Sequence, residues 1–227
     1  LEILDAGFSH PPSALDAYYA RPAKLIERAH QEGFSIYVLL LSNMEQAPES
    51  GEPKYQYGYF PPRDETPMRE RLEHIRTAVE KLGAADGFIY FAGDPGGYPG
   101  GESDGGDCIA MGKRVREIVR TEAPKAEFLF DPWAIAAWDG FPSPFTVEFW
   151  DKEIAIHKQV MADPSLLGPD TGLEVPLHNY YRSLTLDCYA KAGREPEQFP
   201  TAASIDALRA RGVKRLWAWP YFLIDEC

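Results

Sequence analysis

The sequence lacks long apolar runs, and this absence argues against a membrane-spanning helix. No segment approaches the roughly 18 consecutive apolar residues that such a helix requires. No basic segment followed by an apolar one opens the chain, so we predict no signal peptide in it; the compartment stays undetermined, and secreted or periplasmic locations are compatible. The chain begins at Leu1 and ends at Cys227, which is typical of a processed or excised piece.

Cysteine and positive charge are also scarce. The three cysteines, Cys108, Cys188 and Cys227, are too far apart for a zinc cluster or a disulfide framework. The histidines show no metal-binding spacing, so we predict neither a metal nor a cofactor. The net charge of −12 argues against a nucleic-acid partner, which would require clustered Lys and Arg.

Two common motifs are missing as well. The chain has no Gly-x-Ser-x-Gly elbow, which argues against a serine hydrolase of that type. It has no Walker pattern, and its glycine-rich segment lacks the spacing of a dinucleotide-binding loop. What remains is a chain of 227 residues with 44% hydrophobic content, which is long enough to bury a core.

Apolar strand-like runs alternate with amphipathic helical segments along this chain. The predicted strands are 1–8, 34–41, 87–94, 127–131, 174–181 and 214–224, and the predicted helices are 23–33, 68–82, 109–120, 145–161 and 205–210. This alternation favours a parallel sheet covered by helices. The expected fold class is therefore α/β.

An open doubly wound sheet and a (β/α)-barrel both satisfy this alternation. Polar and aromatic residues gather at several strand ends, as on the catalytic edge of a barrel, so we favour the barrel. A complete barrel has eight strands and six are predicted. We therefore expect residues 1–227 to form a single barrel-type domain, whole or as a fragment of a longer protein.

The most informative segment runs from Gly87 to Asp107. An apolar run ends abruptly at Asp94, and a loop dense in glycine and acid follows it. Because chemistry in α/β proteins concentrates at the carboxyl ends of strands, Asp94 is the first candidate for a working carboxylate. The alternative is a turn aspartate that precedes Pro95.

Glycoside hydrolysis requires two carboxyl groups, one as acid and one as nucleophile or base. Asp94 is the predicted central carboxylate, and Asp131 or Glu102 is its predicted partner. Asp131 follows the neighbouring strand, although it could instead cap a turn before Pro132. Glu102, Asp104 and Asp107 could equally form a solvated acidic loop.

Aromatic and amide side chains at the other strand ends suit a ligand made of sugar rings, which stack on aromatic faces and hydrogen-bond through hydroxyls. The predicted substrate-binding residues are Asp104, Trp133, Trp138, His178, Asn179, Tyr180, Tyr181, Trp217, Trp219 and Tyr221. His74 and His157 fall within predicted helices, where we expect them on the surface or lining a groove.

The segment Phe91-Ala92-Gly93-Asp94 resembles the barrel strand of hexosaminidase-type glycoside hydrolases, which ends in Gly-Gly-Asp-Glu. The resemblance covers about ten residues and implies a barrel that acts on a glycan. In that family the glutamate is the general acid, and the aspartate beside it supports catalysis on the acetamido group of the substrate. Here Asp94 matches the aspartate, but Pro95 stands where the glutamate would be.

The leading hypothesis is a glycoside hydrolase with an oligosaccharide or glycan substrate. Pro95 motivates a first alternative, a non-catalytic glycan-binding barrel that has lost an acid. A second alternative is a barrel isomerase or lyase on a small polar substrate. Lys125 and Lys214 precede strands, the wrong end for Schiff-base chemistry, which disfavours this second alternative. The oligomeric state stays open.

Overall fold

In the part of the chain that the structure describes, six parallel strands form one sheet in the order in which they occur along the chain, β1 to β6. The structure is a computed structural model, and it describes residues 1–45, 47–48, 58–92, 97–98, 102–140, 146–174, 188–195, 197, 199–213 and 215–217. The strands are β1 (Glu2–Leu4), β2 (Tyr37–Leu41), β3 (Gly87–Phe91), β4 (Glu127–Asp131), β5 (Thr171–Glu174) and β6 (Arg215–Trp217).

A helix connects each strand to the next. The helices are α1 (Leu15–Gln31), α2 (Glu65–Lys81), α3 (Gly105–Glu122), α4 (Val147–Ala162) and α5 (Ala202–Ala210). Side chains begin four of them: Asp64, Asp104, Thr146 and Thr201 accept backbone N–H groups of the first turn. Three of these helices, α2, α3 and α5, start a few residues before their predicted bounds, and α4 starts two residues after its predicted start at 145.

The two faces of the sheet differ in what covers them. Alternate strand residues such as Val38, Phe88 and Phe130 pack with helix residues such as Ile75 and Val115 in one large core. The remaining strand residues form a second cluster on the opposite face, which we call the inner face: Tyr37, Leu39, Ile89, Phe91 and Leu129, with Leu41 and Trp133 against them. Strand residues alone, with Trp133, make up this cluster.

This arrangement is that of a (β/α)-barrel rather than a doubly wound sheet. A doubly wound sheet reverses its strand order and carries helices on both faces, whereas within the described residues these strands run in sequential order with helices packed on one face. The predicted α/β fold class is confirmed. Within the described residues, β1 pairs with β2 alone and β6 with β5 alone.

Most predicted elements are confirmed, and β4 coincides with its predicted bounds, 127–131. The prediction for the fifth strand is wrong at its start, because β5 begins at Thr171 and shares only Glu174 with the predicted segment. The apolar and aromatic residues after Pro176 displaced the prediction toward the carboxyl end. Residues 175–187, like the rest of the predicted last strand after Trp217, lie outside the described residues.

Candidate functional site

Asp131 ends β4 at the carboxyl edge of the sheet. Its register partner on β3 is Phe91, so its side chain belongs to the inner face. The residue is only 2% exposed. One carboxylate oxygen accepts a hydrogen bond from the backbone N–H of Trp133 at 2.9 Å, the geometry of an aspartate that orders the turn after it. Asp131 therefore caps the turn before Trp133, as the sequence allowed, and is also buried at the carboxyl edge of the sheet.

The negative charge of Asp131 affects the pKa of Glu2 on β1. Desolvation raises the pKa of Glu2, although the side chain keeps contact with solvent, and the negative charge of Asp131 raises it further. Glu2 pairs in register with Tyr37, so it also belongs to the inner face. The inner face therefore brings two carboxylates from separate strands into electrostatic contact.

Asp104 starts α3 and also forms an ion pair with Arg63. It is the N-cap of α3, where its carboxylate accepts the Asp107 N–H at 3.0 Å and the Asp107 carboxylate accepts the Asp104 N–H in return. Arg63 bridges both carboxylates, at 2.6 Å from Asp104. Glu102 precedes this cap and is exposed. The acidic segment is thus organised as a helix start.

The two predicted tryptophan platforms after β4 lie in different surroundings. The Trp138 ring is completely buried, and its indole N–H donates to the Ala92 carbonyl at 3.0 Å, so no ring face is available to a ligand in this structure. Trp133 is half-buried and packs between the inner face and a smaller cluster that contains Phe149 and Trp150. Of the two, Trp133 alone has exposed surface beside Asp131.

The remaining predicted site residues cannot be compared with the structure. Trp217 is the last residue of β6 and pairs in register with Glu174, and nothing more is described of it. The others lie outside the described residues: Asp94, His178, Asn179, Tyr180, Tyr181, Trp219 and Tyr221.

A buried polar network that the sequence did not indicate lies between β1 and the helices. Asp5 accepts hydrogen bonds from the Tyr19 hydroxyl and the Gly7 N–H, both at 2.9 Å. His74 Nε2 is 3.2 Å from the Tyr19 hydroxyl and 3.4 Å from the second Asp5 oxygen. The prediction that His74 lies on the surface or in a groove is wrong, because its side chain fills this network.

The charges in this network are balanced. Burial opposes ionisation of Asp5, but the hydrogen bond from His74 and the positive charge of Arg71 outweigh it, so the pKa of Asp5 is lowered. Burial lowers the pKa of His74, and the Arg71 charge lowers it further, so the imidazole is neutral at neutral pH. Arg71 also donates to the carbonyls of Leu41 and Ser42 at the end of β2.

Two buried polar residues after β2 hold the neighbouring strand end. The Ser42 hydroxyl donates to the Ala92 carbonyl at 2.7 Å, and the Asn43 amide donates to the carbonyls of Phe60 and Gly97 at 2.7 and 2.9 Å. These bonds fix the backbone on both sides of segment 93–96. A Ser-Asn pair directly after an apolar strand is the sequence signal that indicates them.

His157 was also predicted on the surface or in a groove, and this prediction is wrong as well. The residue lies on α4 with Glu153 one turn before it, and both are buried. Within the described part of the chain, no group of three or more His, Cys, Asp or Glu side chains could hold a metal ion. No helix in the described ranges is long and apolar enough to span a membrane.

The fold and site define an α/β protein of the (β/α)-barrel type with a buried carboxylate at the carboxyl edge of its inner face. No protein-family model matches the chain, and no curated protein matches it. Among solved structures it is similar to the catalytic domain of an endoglucanase from Thermobifida fusca, with a TM-score of 0.40 and 12% identity over 91% of this chain and 63% of that one.

A second similar structure is the β-mannanase of Streptomyces thermolilacinus, solved with mannohexaose. The TM-score is 0.34 and the identity 15%, over 92% of this chain and 65% of that one. The chain thus spans less than two thirds of the length of either structure. Similarity at this level assigns neither a family nor an activity to the chain.

Proposed function

We propose that this protein is a carbohydrate-active enzyme, a glycoside hydrolase that cleaves a glycan with carboxylates at the carboxyl edge of the inner face. The single observation that carries the proposal is Asp131, a 2% exposed carboxylate at the end of β4, with the half-buried Trp133 two residues after it. A carboxyl group next to an aromatic face suits a sugar ring held for proton transfer.

The proposal assigns the second carboxyl group to Asp94 or Glu102. Segment 93–96 follows β3, the strand beside β4, and its flanks are held by Ser42, Asn43 and Trp138. Glu102 is exposed before α3 and is open to solvent. A separation of about 5 Å between the two carboxyl groups would favour retention of stereochemistry, and about 6.5–9.5 Å would favour inversion.

The proposal also treats residues 1–227 as one barrel-type domain, either whole or a fragment of a longer protein. The largest apolar cluster supports a single domain, because this one cluster includes side chains from Leu15 on α1 to Leu208 on α5. Limited proteolysis tests this: one domain should yield a single resistant core, whereas two domains should separate into two.

The decisive experiment measures both turnover and binding with soluble oligosaccharides of glucose, mannose and N-acetylhexosamine. We expect Asp131→Asn to lower kcat/KM by about 100-fold or more, because a group that transfers a proton contributes about that much. Asp94→Asn and Glu102→Gln identify the partner. Asp206→Asn, an exposed carboxylate on α5, is the matched control and should leave turnover unchanged.

The alternatives predict different results. A glycan-binding barrel, which Pro95 favours, would bind an oligosaccharide in calorimetry with equal affinity before and after Asp131→Asn and would show no turnover in either form. Turnover that survives Asp131→Asn within about twofold, in a variant with an unchanged melting curve, would remove Asp131 from the mechanism. If the protein neither binds nor cleaves any of these sugars, that result would overturn the carbohydrate proposal itself.

A further inference from the structure

Glu153 and His157 occupy successive turns of α4 and face the sheet. Each is only 4% exposed, which is unusual for a carboxylate and an imidazole on a helix that could bury apolar side chains instead. A buried ionisable pair rarely stabilises a protein more than apolar residues of the same size would. Their contacts therefore call for an explanation beyond packing.

The two side chains bind the two ends of the turn that follows Asp131. One oxygen of Glu153 accepts the backbone N–H of Ala136 at 2.7 Å. The Nε2 atom of His157 lies 3.2 Å from the Pro132 carbonyl and 3.2 Å from the other Glu153 oxygen. Because the Pro132 carbonyl can only accept a hydrogen bond, Nε2 carries a proton and donates it to that carbonyl.

The turn they bind is strained. Ala134 has φ 53° and ψ 29°, the left-handed conformation that costs a residue with a Cβ about 1–2 kcal/mol. Such a conformation persists only where the surroundings hold it. The bonds from Glu153 to Ala136 and from His157 to Pro132 lie on either side of Ala134, so they supply that restraint.

The orientation of Asp131 depends on the same turn. Its carboxylate accepts the N–H of Trp133, which lies between the two restrained points, Pro132 and Ala136. A relaxed turn would move this donor relative to the carboxylate that accepts from it. Burial raises the pKa of the buried Cys108 thiol, and the charges of Glu153 and Asp131 both raise it further.

From this geometry we infer that Glu153 and His157 are positioning residues, which hold the strained turn 132–136 and through it fix the Asp131 carboxylate for catalysis. The inference rests on the proposed function of Asp131. Neither residue touches the substrate in this role. A positioning defect lowers the rate of the chemical step more than it weakens substrate binding.

Kinetics test the role directly. Glu153→Leu and His157→Phe should each lower kcat by about 10- to 100-fold with KM nearly unchanged, the range expected when a reacting group is displaced by about 1 Å. His157→Gln retains a donor for the Pro132 carbonyl and should recover part of the rate. The exposed Glu148→Gln, on the same helix, is the control and should match wild type.

A double-mutant cycle separates positioning from general stability. In the Asp131→Asn background, Glu153→Leu should lower the residual rate by less than about twofold, because the group that it positions is gone. An equal loss in both backgrounds, or a rise in KM that accounts for the whole effect, would overturn the inference.

Amide hydrogen exchange supplies a readout that does not require activity, so failure of the proposed function and failure of this inference remain distinguishable. Glu153→Leu should speed exchange at Ala136, which loses its acceptor, and also at Trp133, whose N–H binds Asp131. Faster exchange at Ala136 alone would show that the turn does not transmit the change to Asp131, and would overturn the inference even in an active enzyme.

Discussion

Asp131 on β4 raises the pKa of Glu2 on β1, three strands away, in addition to the rise that desolvation causes. Glu2 is level in register with Glu127 at the start of β4. On a flat sheet Asp131 would therefore be about 20 Å from it, from three strand spacings of ~4.8 Å and four residues of ~3.3 Å. Exposed charges interact weakly beyond about 8–10 Å in physiological salt. The interaction is therefore stronger than a flat sheet would allow, as expected for the curved sheet of a (β/α)-barrel.

This relationship gives the first prediction. Asp131→Asn should move the pKa of Glu2 down toward its ordinary value of 4.5, because the repelling charge is removed while desolvation remains. Carbon-13 NMR titration of the Glu2 side chain measures the shift. Asp206→Asn, on the exposed side of α5, should leave the pKa of Glu2 unchanged. An identical shift in both variants would mean that net charge, rather than proximity, accounts for it.

Asp5 is expected to be the most sensitive buried polar residue of the described chain. Asp5→Asn removes the negative charge that acts on the buried Arg71 guanidinium and should cost about 3–5 kcal/mol of unfolding free energy, since a buried charge is then left uncompensated. Urea denaturation measures the loss. Asp86→Asn, at a half-exposed pair with His30, should cost about 1 kcal/mol or less. Similar costs for both would contradict the proposed compensation of Arg71.

The stability of the protein should decrease as the pH falls below about 6.5. The folded-state pKa of His74 is lowered, so in this range the unfolded chain binds a proton that the folded protein does not. The contribution is complete above the unfolded pKa and is lost as the pH falls toward the folded one. Asp5, whose pKa is also lowered, adds a separate loss at more acidic pH.

Urea denaturation between about pH 5 and pH 8 measures this slope. His74→Gln has no imidazole to titrate and should show a shallower dependence than wild type, even though its stability at neutral pH is lower. Parallel curves for the two proteins would mean that His74 does not cause the slope.

Asp104 offers a test that distinguishes a helix cap from a substrate ligand. Asp104→Ser keeps a side-chain oxygen at the N-cap and should retain most of the stability, whereas Asp104→Ala should cost about 0.5–2 kcal/mol. Thermal unfolding compares them. If Asp104→Ser keeps both stability and oligosaccharide binding, its role is confined to the start of α3. Loss of binding in a stable Asp104→Ser would support the substrate-binding role predicted from the sequence.

The histidines show what the sequence can predict and what it cannot. Periodicity predicted the helices that carry His74 and His157, and both helices are present. It did not predict that either side chain is buried, because a histidine at the margin of an apolar face is compatible with both environments. Their partners are separated from them by 69 residues for Asp5 and 25 for Pro132, so no local pattern contains the contact.

Trp138 shows the same limit of sequence-based prediction, because its position in the sequence does not indicate that its ring is buried. Trp138 follows a strand end, as a sugar-binding platform would, and the sequence alone favours that role. In the fold its indole N–H binds the Ala92 carbonyl on the neighbouring strand, and the close approach of Gly97 to its backbone covers it further. Whether such a ring is exposed therefore depends on its contacts with the end of the neighbouring strand, which the local sequence does not contain.

By itself, the sequence determined the alternation of strands and helices, the α/β class and the bounds of β4, because each depends on the local spacing of apolar residues. Tertiary structure alone decided which carboxylates meet. Asp5 follows β1 and Asp131 ends β4, yet Asp5 contacts Tyr19 and His74 on the helix side while Asp131 shares the inner face with Phe91. The reason is physical: successive strand residues point to opposite faces, and pairing register decides which neighbours each one meets.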